Sequence, residues 1–405
     1  MKNFDTIIIG GGAAGVFAAI NLKKLQPSLN VAILEKSTKL LSKVKVSGGG
    51  RCNVTHSCFD VRELVKFYPR GQKELIGPFS NFNPTHTIDW FKERNVELKT
   101  EADGRMFPTT DNSLTIIDCF VNDLTKYKVE VIYQSKVETI EKENELFTLT
   151  TTGQSYNCTN CIITTGGFNK LEQYNFIHHL GIEIETPTPS LFTFNLPNNE
   201  LLKLQGVASD VSIRLNGTKL QESGPLLVTH WGVSGPAILK LSSWAARYLH
   251  EKNYEFEFSI NWLPGEKEDP LKAFFQSEKQ NHGAKKVINQ FHVDLPKKLQ
   301  TYILEKSGID NDIKWADVNK KQLNKLVNNL LNDVYQSKGK TTFKQEFVSC
   351  GGVKLNEVNF KSMESKKVEG LYFAGEVLNI DALTGGFNFQ SAWTTGWLAA
   401  QHIGS

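Results

Sequence analysis

The chain has 405 residues and a mass of 45.5 kDa, more than one hydrophobic core usually organises, so two or three domains are expected and a minidomain or disordered tail is excluded. Hydrophobic residues make up 40%, charged residues 22% and aromatics 10%, with a mean hydropathy of −0.30, the profile of a globular chain in water. A net charge of +3 is too small to mark a nucleic-acid binder by itself, six irregularly spaced cysteines suit a reducing cytoplasm, and no apolar run reaches the roughly 18 residues of a membrane span.

In chain order, residues 5–9 form a continuous apolar β run of the kind buried on both faces of a parallel sheet. The spacing then turns helical from Ala13 to Leu25, and Val31, Ala32, Ile33 and Leu34 make a second buried strand ending at Glu35. This is a βαβ unit, with Gly10-x-Gly12-x-x-Gly15 at its strand-to-helix junction. Gly10 permits the tight turn, Gly12 lets a pyrophosphate approach the backbone, and Gly15 lets the helix pack on the strand, while the helix start offers unpaired N–H donors. Glu35 suits an adenosine ribose with a free 2′-hydroxyl, which favours FAD or NAD over NADP.

Ser47-Gly48-Gly49-Gly50-Arg51-Cys52-Asn53 reads as a loop of exposed amides, with Lys43, Lys45 and Arg51 adding positive charge. Such a loop suits a second part of an anionic cofactor, or presents a cation to a redox centre. Cys52, beside Arg51, is the candidate reactive thiol, with packing of the loop as the alternative. Residues 129–133, 136–140 and 147–151 alternate like a small antiparallel meander, and 161–165 form a further buried strand running into Gly166-Gly167. Cys158-x-x-Cys161 lacks a helix N-terminus to lower a thiol pKa and reads as packing. Four well-spaced zinc ligands are missing, so no metal site is expected.

After Pro187 and Pro189, residues 191–196, 211–215 and 256–260 alternate with period two as barrel or sheet strands. From 270 to 337 the spacing is mostly helical, with Leu323, Leu326, Val327, Leu330, Leu331 and Val334 on one apolar stripe. Residues 263–344 carry fifteen Lys, no Arg and ten Asp plus Glu, a net of +5 that leaves −2 for the rest of the chain. One reading is a solvated helical surface; the other is a phosphate-holding surface for RNA, with Phe274, Phe275, Phe291 and Trp315 available for stacking. Gly351-Gly352 has no assigned partner. Residues 370–374 form a last strand, followed by Gly375-Glu376, the run Thr384-Gly385-Gly386-Phe387-Asn388-Phe389-Gln390 and a helix over 391–402. A carboxylate at a strand end can bind polyol hydroxyls, and the helix start near Asn388 can stabilise negative charge on a reduced ring.

The motifs GGGAAG (10–15), SGGGRCNVT (47–55), DGRMFP (103–108), LVTHWGVSGPAIL (227–239) and GLYFAGEVLNIDALTGGFNFQSAWTTG (370–396) resemble, over essentially the whole chain, the BaiN/RdsA-type (YhiN-like) NAD(P)/FAD-dependent oxidoreductases. The resemblance implies an α/β fold: a Rossmann-like domain of the two-dinucleotide flavoprotein type, binding FAD noncovalently, interrupted by a slender β-barrel that itself carries a helical insert. The expected boundaries are 1–189 with 345–405 for the FAD domain, 190–263 with about 338–345 for the barrel, and 264–337 for the insert. By the same resemblance Gly10, Gly12, Gly15 and Glu35 take the pyrophosphate and adenosine ribose, and Ser47, Gly48, Gly49, Arg51, Cys52 and Asn53 lie near the flavin and ribitol. Val137 contacts adenine, Thr165, Gly166 and Gly167 pass beneath the cofactor, and Gly375, Glu376 and Asp381 serve its pyrophosphate and ribitol side. Gly386, Asn388, Phe389 and Gln390, with Gly385 beside them, face the pyrimidine end; Ala14, Lys36 and Lys45 complete the set. Asn379 departs from the family, which more often carries Asp after Gly-Glu-x-Leu.

The implied activity is reduction of an activated C=C bond, enone-like or uracil-like, so the expected partner is a small-molecule substrate or ribosomal RNA. The chain has one dinucleotide fingerprint, so NAD(P)H is expected to dock transiently as electron donor. His230, in Thr229-His230-Trp231-Gly232, is the candidate proton donor or carbonyl orienter, with a turn-anchoring histidine as the alternative. Arg51 either polarises a carbonyl or serves the cofactor. Formation of dihydrouridine in ribosomal RNA, amine oxidation with electrons passed to oxygen, and redox sensing without turnover are the competing functions.

Overall fold

The computed structural model describes residues 1–341 and 348–405, so the 342–345 part of the expected domain boundary lies outside the described residues. The chain forms two compact units, Met1–Pro189 with Lys344–Ser405, and Ser190–Phe343.

The first unit is built on a parallel sheet. The apolar strand Lys2–Ile9 pairs in parallel with Val31–Leu34 on one side (Ile9 opposite Leu34) and with Ser155–Ile163 on the other (Ile9 opposite Ile163). Leu371–Phe373 adds in parallel beyond Ser155–Ile163, with Phe373 opposite Ile163. The strands therefore stop level with one another, and the loops after Ile9, Leu34, Ile163 and Phe373 open at one edge, where open α/β sheets bind ligands.

Only two of the three expected meander strands behave as one: Val137–Glu143 and Leu146–Thr151 form a hairpin that continues into Ser155–Ile163. Glu130–Ile132 instead pairs in parallel with Val31–Leu34 at the sheet edge. Three residues carry too little alternation to name a partner a hundred positions away.

The fingerprint helix Ala13–Leu25 is buried from residue 14 to 23, between the sheet and the closing helix Phe387–Gly404. A Cβ at Gly396 would lie 2.6 Å from the Ala14 carbonyl oxygen, so the two helix backbones touch. Phe17 of the fingerprint helix packs among Phe82, Trp90, Phe120 and Trp393, with ring centroids 4.7–6.3 Å away.

The second unit contains a seven-stranded sheet in the order Asp333–Lys338, Glu255–Asn261, Ala208–Leu215, Gln221–Val228, Gly232–Ser234, Thr193–Asn195, Lys340–Thr341, with antiparallel neighbours throughout. The first and last strands in this order are consecutive in the chain, joined by Gly339 at φ +81°, so the sheet curls back on itself. The helices Glu268–Asn281, Lys297–Lys306 and Lys320–Leu331 share one apolar cluster with these strands. Phe275, Phe291 and Trp315 are buried there, with Phe275 stacked on the other two, so they hold the core and are not free to stack on bases. The predicted stripe also overruns the helix. Asn332 caps Lys320–Leu331, and Asp333 starts a strand, its buried carboxylate taking Trp262 Nε1 (3.1 Å) and Lys306 Nζ (2.6 Å). Val334 consequently stands 42% exposed.

Leu330→Ala, at a fully buried helix position, should cost about 2–5 kcal/mol, whereas Val334→Ala should stay within about 0.5 kcal/mol. Denaturant midpoints of the two variants check this; equal losses would overturn the assigned end of the helix.

Candidate functional site

At the level strand ends the fingerprint turn separates its glycines by role. Gly10 has φ +109°, and a Cβ there would lie 2.6 Å from Thr164 O; a Cβ at Gly15 would lie 2.1 Å from Gly10 O. Both positions admit only hydrogen. Gly12 differs: its φ is an ordinary −85°, and a Cβ would meet nothing within 4 Å. The space before it faces the start of Ala13–Leu25, which has no side-chain cap, so its first N–H groups and helix dipole are available to an anion.

Glu35 is fixed beside this turn, its carboxylate accepting from Gly11 N and Ser37 N, each at 2.8 Å. A cavity of about 350 Å³ adjoins it, lined by Gly10, Glu35, Lys36, Val137 and Thr165. Ile9, Leu34, Phe168 and Phe176 give it apolar walls. A chamber with apolar walls, a carboxylate in its lining and the helix-start amides beside it fits the adenosine and pyrophosphate of a dinucleotide.

Around the opposite part of the sheet edge the sequence-predicted residues divide. The 47–53 segment follows a short helical stretch: Ser47 is extended and Gly48, Gly49 and Gly50 have φ of +56°, +69° and +85°, with open space at Gly49 and Gly50. Asn53, with its amide oriented to suit its neighbours, donates to Thr55 O and accepts from Gly386 N, both at 3.0 Å, tying this loop to the Gly385-Gly386 turn. Gly166 and Gly167 pass close to Glu376, whose carboxylate holds Lys43 Nζ at 2.6 Å and, by its charge, raises the lysine pKa. Gly375 has room only for hydrogen, since a Cβ would lie 2.9 Å from the Ala14 methyl. Lys36 and Lys45 are exposed, and the Phe389 ring stacks on Trp393.

Several predicted cofactor side chains turn out to be committed to the protein itself. Asp381 is fully buried and paired through both oxygens with Arg70. Gln390 is buried, accepting from Thr55 and Thr87 and donating to Thr394. Asn388 bonds both backbone groups of Ala382. What these leave for a ligand is main chain, not side chain: Gly385, at φ +129°, and the start of Phe387–Gly404, while Gly386, at φ +90°, is tied to Asn53 through its N–H and to Gln390 through its carbonyl. Cys52 is buried at φ +63°, and burial pushes its thiol pKa up to about 12, so it is not a reactive thiolate. Cys158 and Cys161 are also buried, as the packing reading requires.

Of the two catalytic candidates, Arg51 is not a free cation. It contacts Glu101 (2.5 Å) and Asp111 (3.4 Å) and lies over the Phe107 ring at 4.0 Å, which pins the glycine loop to the strand Arg105–Pro108. His230, in the second unit, is exposed, with its ring edge-on to Trp231 and no hydrogen bond among the described residues. The turn around it is held by Thr229, through its N–H and hydroxyl to Gly232, and so does not need the imidazole as an anchor.

His56 is the residue that sequence reasoning missed. Its ring stacks on Phe387 at 4.6 Å, and Phe387 stacks on Phe67. Nε2 lies 3.1 Å from Asp103 O and therefore carries the proton; Nδ1 is buried with no partner, and burial lowers the pKa, favouring the neutral ring. Gly104 admits this ring, since a Cβ there would meet it at 2.4 Å, and Gly385 lies on its other side. The available signal was the histidine two residues after Asn53-Val54 together with the Asp103-Gly104 turn.

The model of the HI0933-like protein Rossmann domain matches residues 4–402. The chain belongs to this family. The HI0933-like chain described here has the Rossmann-like FAD-binding architecture of a flavoprotein oxidoreductase family. It is 31% identical to a "Ribosomal RNA dihydrouridine synthase" of Escherichia coli K12 over 413 residues, covering 100% of this chain and 98% of that protein. It is 25% identical to a "3-dehydro-bile acid delta(4,6)-reductase" of Clostridium scindens, covering 97% of each. Among solved structures, a 3-ketosteroid-delta4-(5alpha)-dehydrogenase from Rhodococcus jostii RHA1 superposes with a TM-score of 0.52 at 11% identity, over 100% of this chain and 97% of that one, a likeness of fold.

Gly12→Ala should change the stability of the flavin-free protein by less than about 1 kcal/mol, because the site has room and an ordinary φ, yet weaken FAD binding at least about tenfold by blocking the pyrophosphate. Gly10→Ala should lower stability itself, by more than about 2 kcal/mol, through the clash at positive φ. Denaturant midpoints and flavin titration distinguish the two; equal behaviour of the variants would show that Gly12 does not face a ligand.

Proposed function

We propose that this protein reduces the activated C=C bond of uracil in ribosomal RNA, with noncovalently bound FAD and NAD(P)H as electron donor. The supporting observation is the end-to-end similarity to the Escherichia coli relative, which extends through the second unit as well as the Rossmann unit. The Clostridium relative, at lower identity, favours a second reading in which a small steroid-like enone is the acceptor. Both acceptors present a C=C bond conjugated to a carbonyl.

In this reading Gly10, Gly12, Ala14 and Gly15 hold the pyrophosphate, Glu35 the ribose, and Lys36, Val137 and Thr165 the adenine chamber. The amides of 47–50 with Gly166, Gly167, Gly375, Glu376, Gly385 and Gly386 receive the remainder of the cofactor, and Phe389 and Asn53 brace them. Bound FAD supplies hydride chemistry. Arg51 positions the glycine loop through Glu101 and Asp111, and His230, unpartnered and exposed, is assigned to donate the proton or orient the carbonyl. We read the helices of 264–337 as an insert on a barrel of 190–263 that returns at about 338–345, and its excess lysines as holders of RNA phosphates. With ribosomal RNA as substrate, the site of action is the cytoplasm.

Mass spectrometry of ribosomal RNA from cells lacking the gene should show loss of a dihydrouridine; unchanged dihydrouridine, with turnover on an enone panel, moves the assignment to small molecules. With one dinucleotide fingerprint, the nicotinamide is expected to leave before the acceptor enters, so initial-rate lines at varied NAD(P)H should run parallel, and intersecting lines would exclude that order.

A further inference from the structure

Three side chains that take no part in the site above meet in the second unit. Glu278 lies in the last turn of the helix Glu268–Asn281, His282 caps that helix, and His292 stands on the following loop. Glu278 is 11% exposed, and its carboxylate faces His292 Nδ1 at 2.9 Å from Oε2 and His282 Nε2 at 3.9 Å from Oε1. Among the described residues no lysine or arginine pairs with it. A carboxylate this deeply buried ordinarily has a cation beside it.

The ligand atoms of the three residues all lie within 4.8 Å of one another. Donors about 2.1 Å from a tetrahedral zinc ion stand roughly 3.4 Å apart, so small side-chain rotations close the cluster. The two imidazole rings stand edge to face, with planes 80° apart and centroids 5.9 Å apart, so neither ring covers the other's nitrogens. Their backbones are anchored: His282 N donates to Glu278 O at 2.8 Å, and His292 follows Phe291, which is buried and stacked on Phe275. The histidine side chains are 38% and 54% exposed, so the cluster opens to solvent on one side, giving an ion an entry path and a water position.

We propose that Glu278, His282 and His292 bind one divalent ion of the zinc class, which staples the end of the helix Glu268–Asn281 to the loop carrying His292. Two imidazoles and one carboxylate select Zn²⁺, Co²⁺ or Ni²⁺ over Mg²⁺ and Ca²⁺, which want oxygen ligands.

The test uses the full-length flavin-loaded protein, stripped with a chelator and dialysed. Calorimetric titration with Zn²⁺ should find one equivalent bound, Co²⁺ should develop visible d–d bands, and Zn²⁺ should raise the melting temperature. His282→Ala and His292→Ala should each weaken uptake at least tenfold and remove the Zn²⁺-dependent rise in melting temperature, while leaving the flavin spectrum unchanged. Glu278→Gln should do the same; should it fail to fold, the two exposed histidines still decide the matter. Absence of stoichiometric Zn²⁺ uptake, or uptake that both histidine variants leave intact, overturns the site.

Discussion

The absence of side chains at Gly15 and Gly396 governs the first unit. One side of the fingerprint helix lies against the Gly10 carbonyl and the other against the closing helix, each at a separation that a single methyl group would break. Clamped in this way, the helix cannot slide or roll, and the direction in which its first N–H groups point is set by the packing of the first helical turn itself. The same clamp brings Gly375 against Ala14, so the last strand end is positioned by the first helix. Electrostatic binding at a helix start is useful only if the donors are already oriented, and here the orientation is a steric consequence of glycine.

The βαβ unit was legible because its signal is local: strand, glycine turn, helix, strand and acid follow within thirty-five residues, and Ala13–Leu25 and Val31–Leu34 appear with the expected bounds. Asp381, Asn388 and Gln390 were harder. A polar side chain near a glycine-rich helix start looks the same in sequence whether it faces a ligand or ties down the fold, and the partners that decide, Arg70 for Asp381 and Thr55 and Thr87 for Gln390, come from some three hundred positions away. Gly351-Gly352 is similar. A Cβ at Gly351 would lie 2.6 Å from Thr186 O and one at Gly352 2.3 Å from Val377 O, so the pair threads between two backbones, which by itself requires glycine at both positions.

In the second unit, period-two alternation found the strands around 211–215 and 256–260, but Gln221–Val228 escaped it because Gly224 and Pro225 interrupt the pattern. The aromatic residues offered for base stacking illustrate a general ambiguity: a ring spaced for recognition and a ring spaced for a core obey the same periodicity, and only burial separates them. What remains outward in the helical segment is chiefly lysine, partly compensated by acids as in Lys286 with Asp312 and Lys272 with Glu268. Such exposed pairs hold little energy and are readily exchanged for other anions.

The parallel pairing of Leu371–Phe373 with residues 161–163 also sets an order of events during synthesis. When the first 189 residues have left the ribosome, the upper edge of Ser155–Ile163 has no neighbour, because the strand that covers it is encoded almost two hundred residues later. The intervening unit, residues 190–343, is made before that strand exists. The nascent 1–189 segment must therefore wait with an open apolar edge, and the sheet beside the flavin site can close only once residues 371–373 have been made, which makes that short strand a checkpoint on the whole sheet.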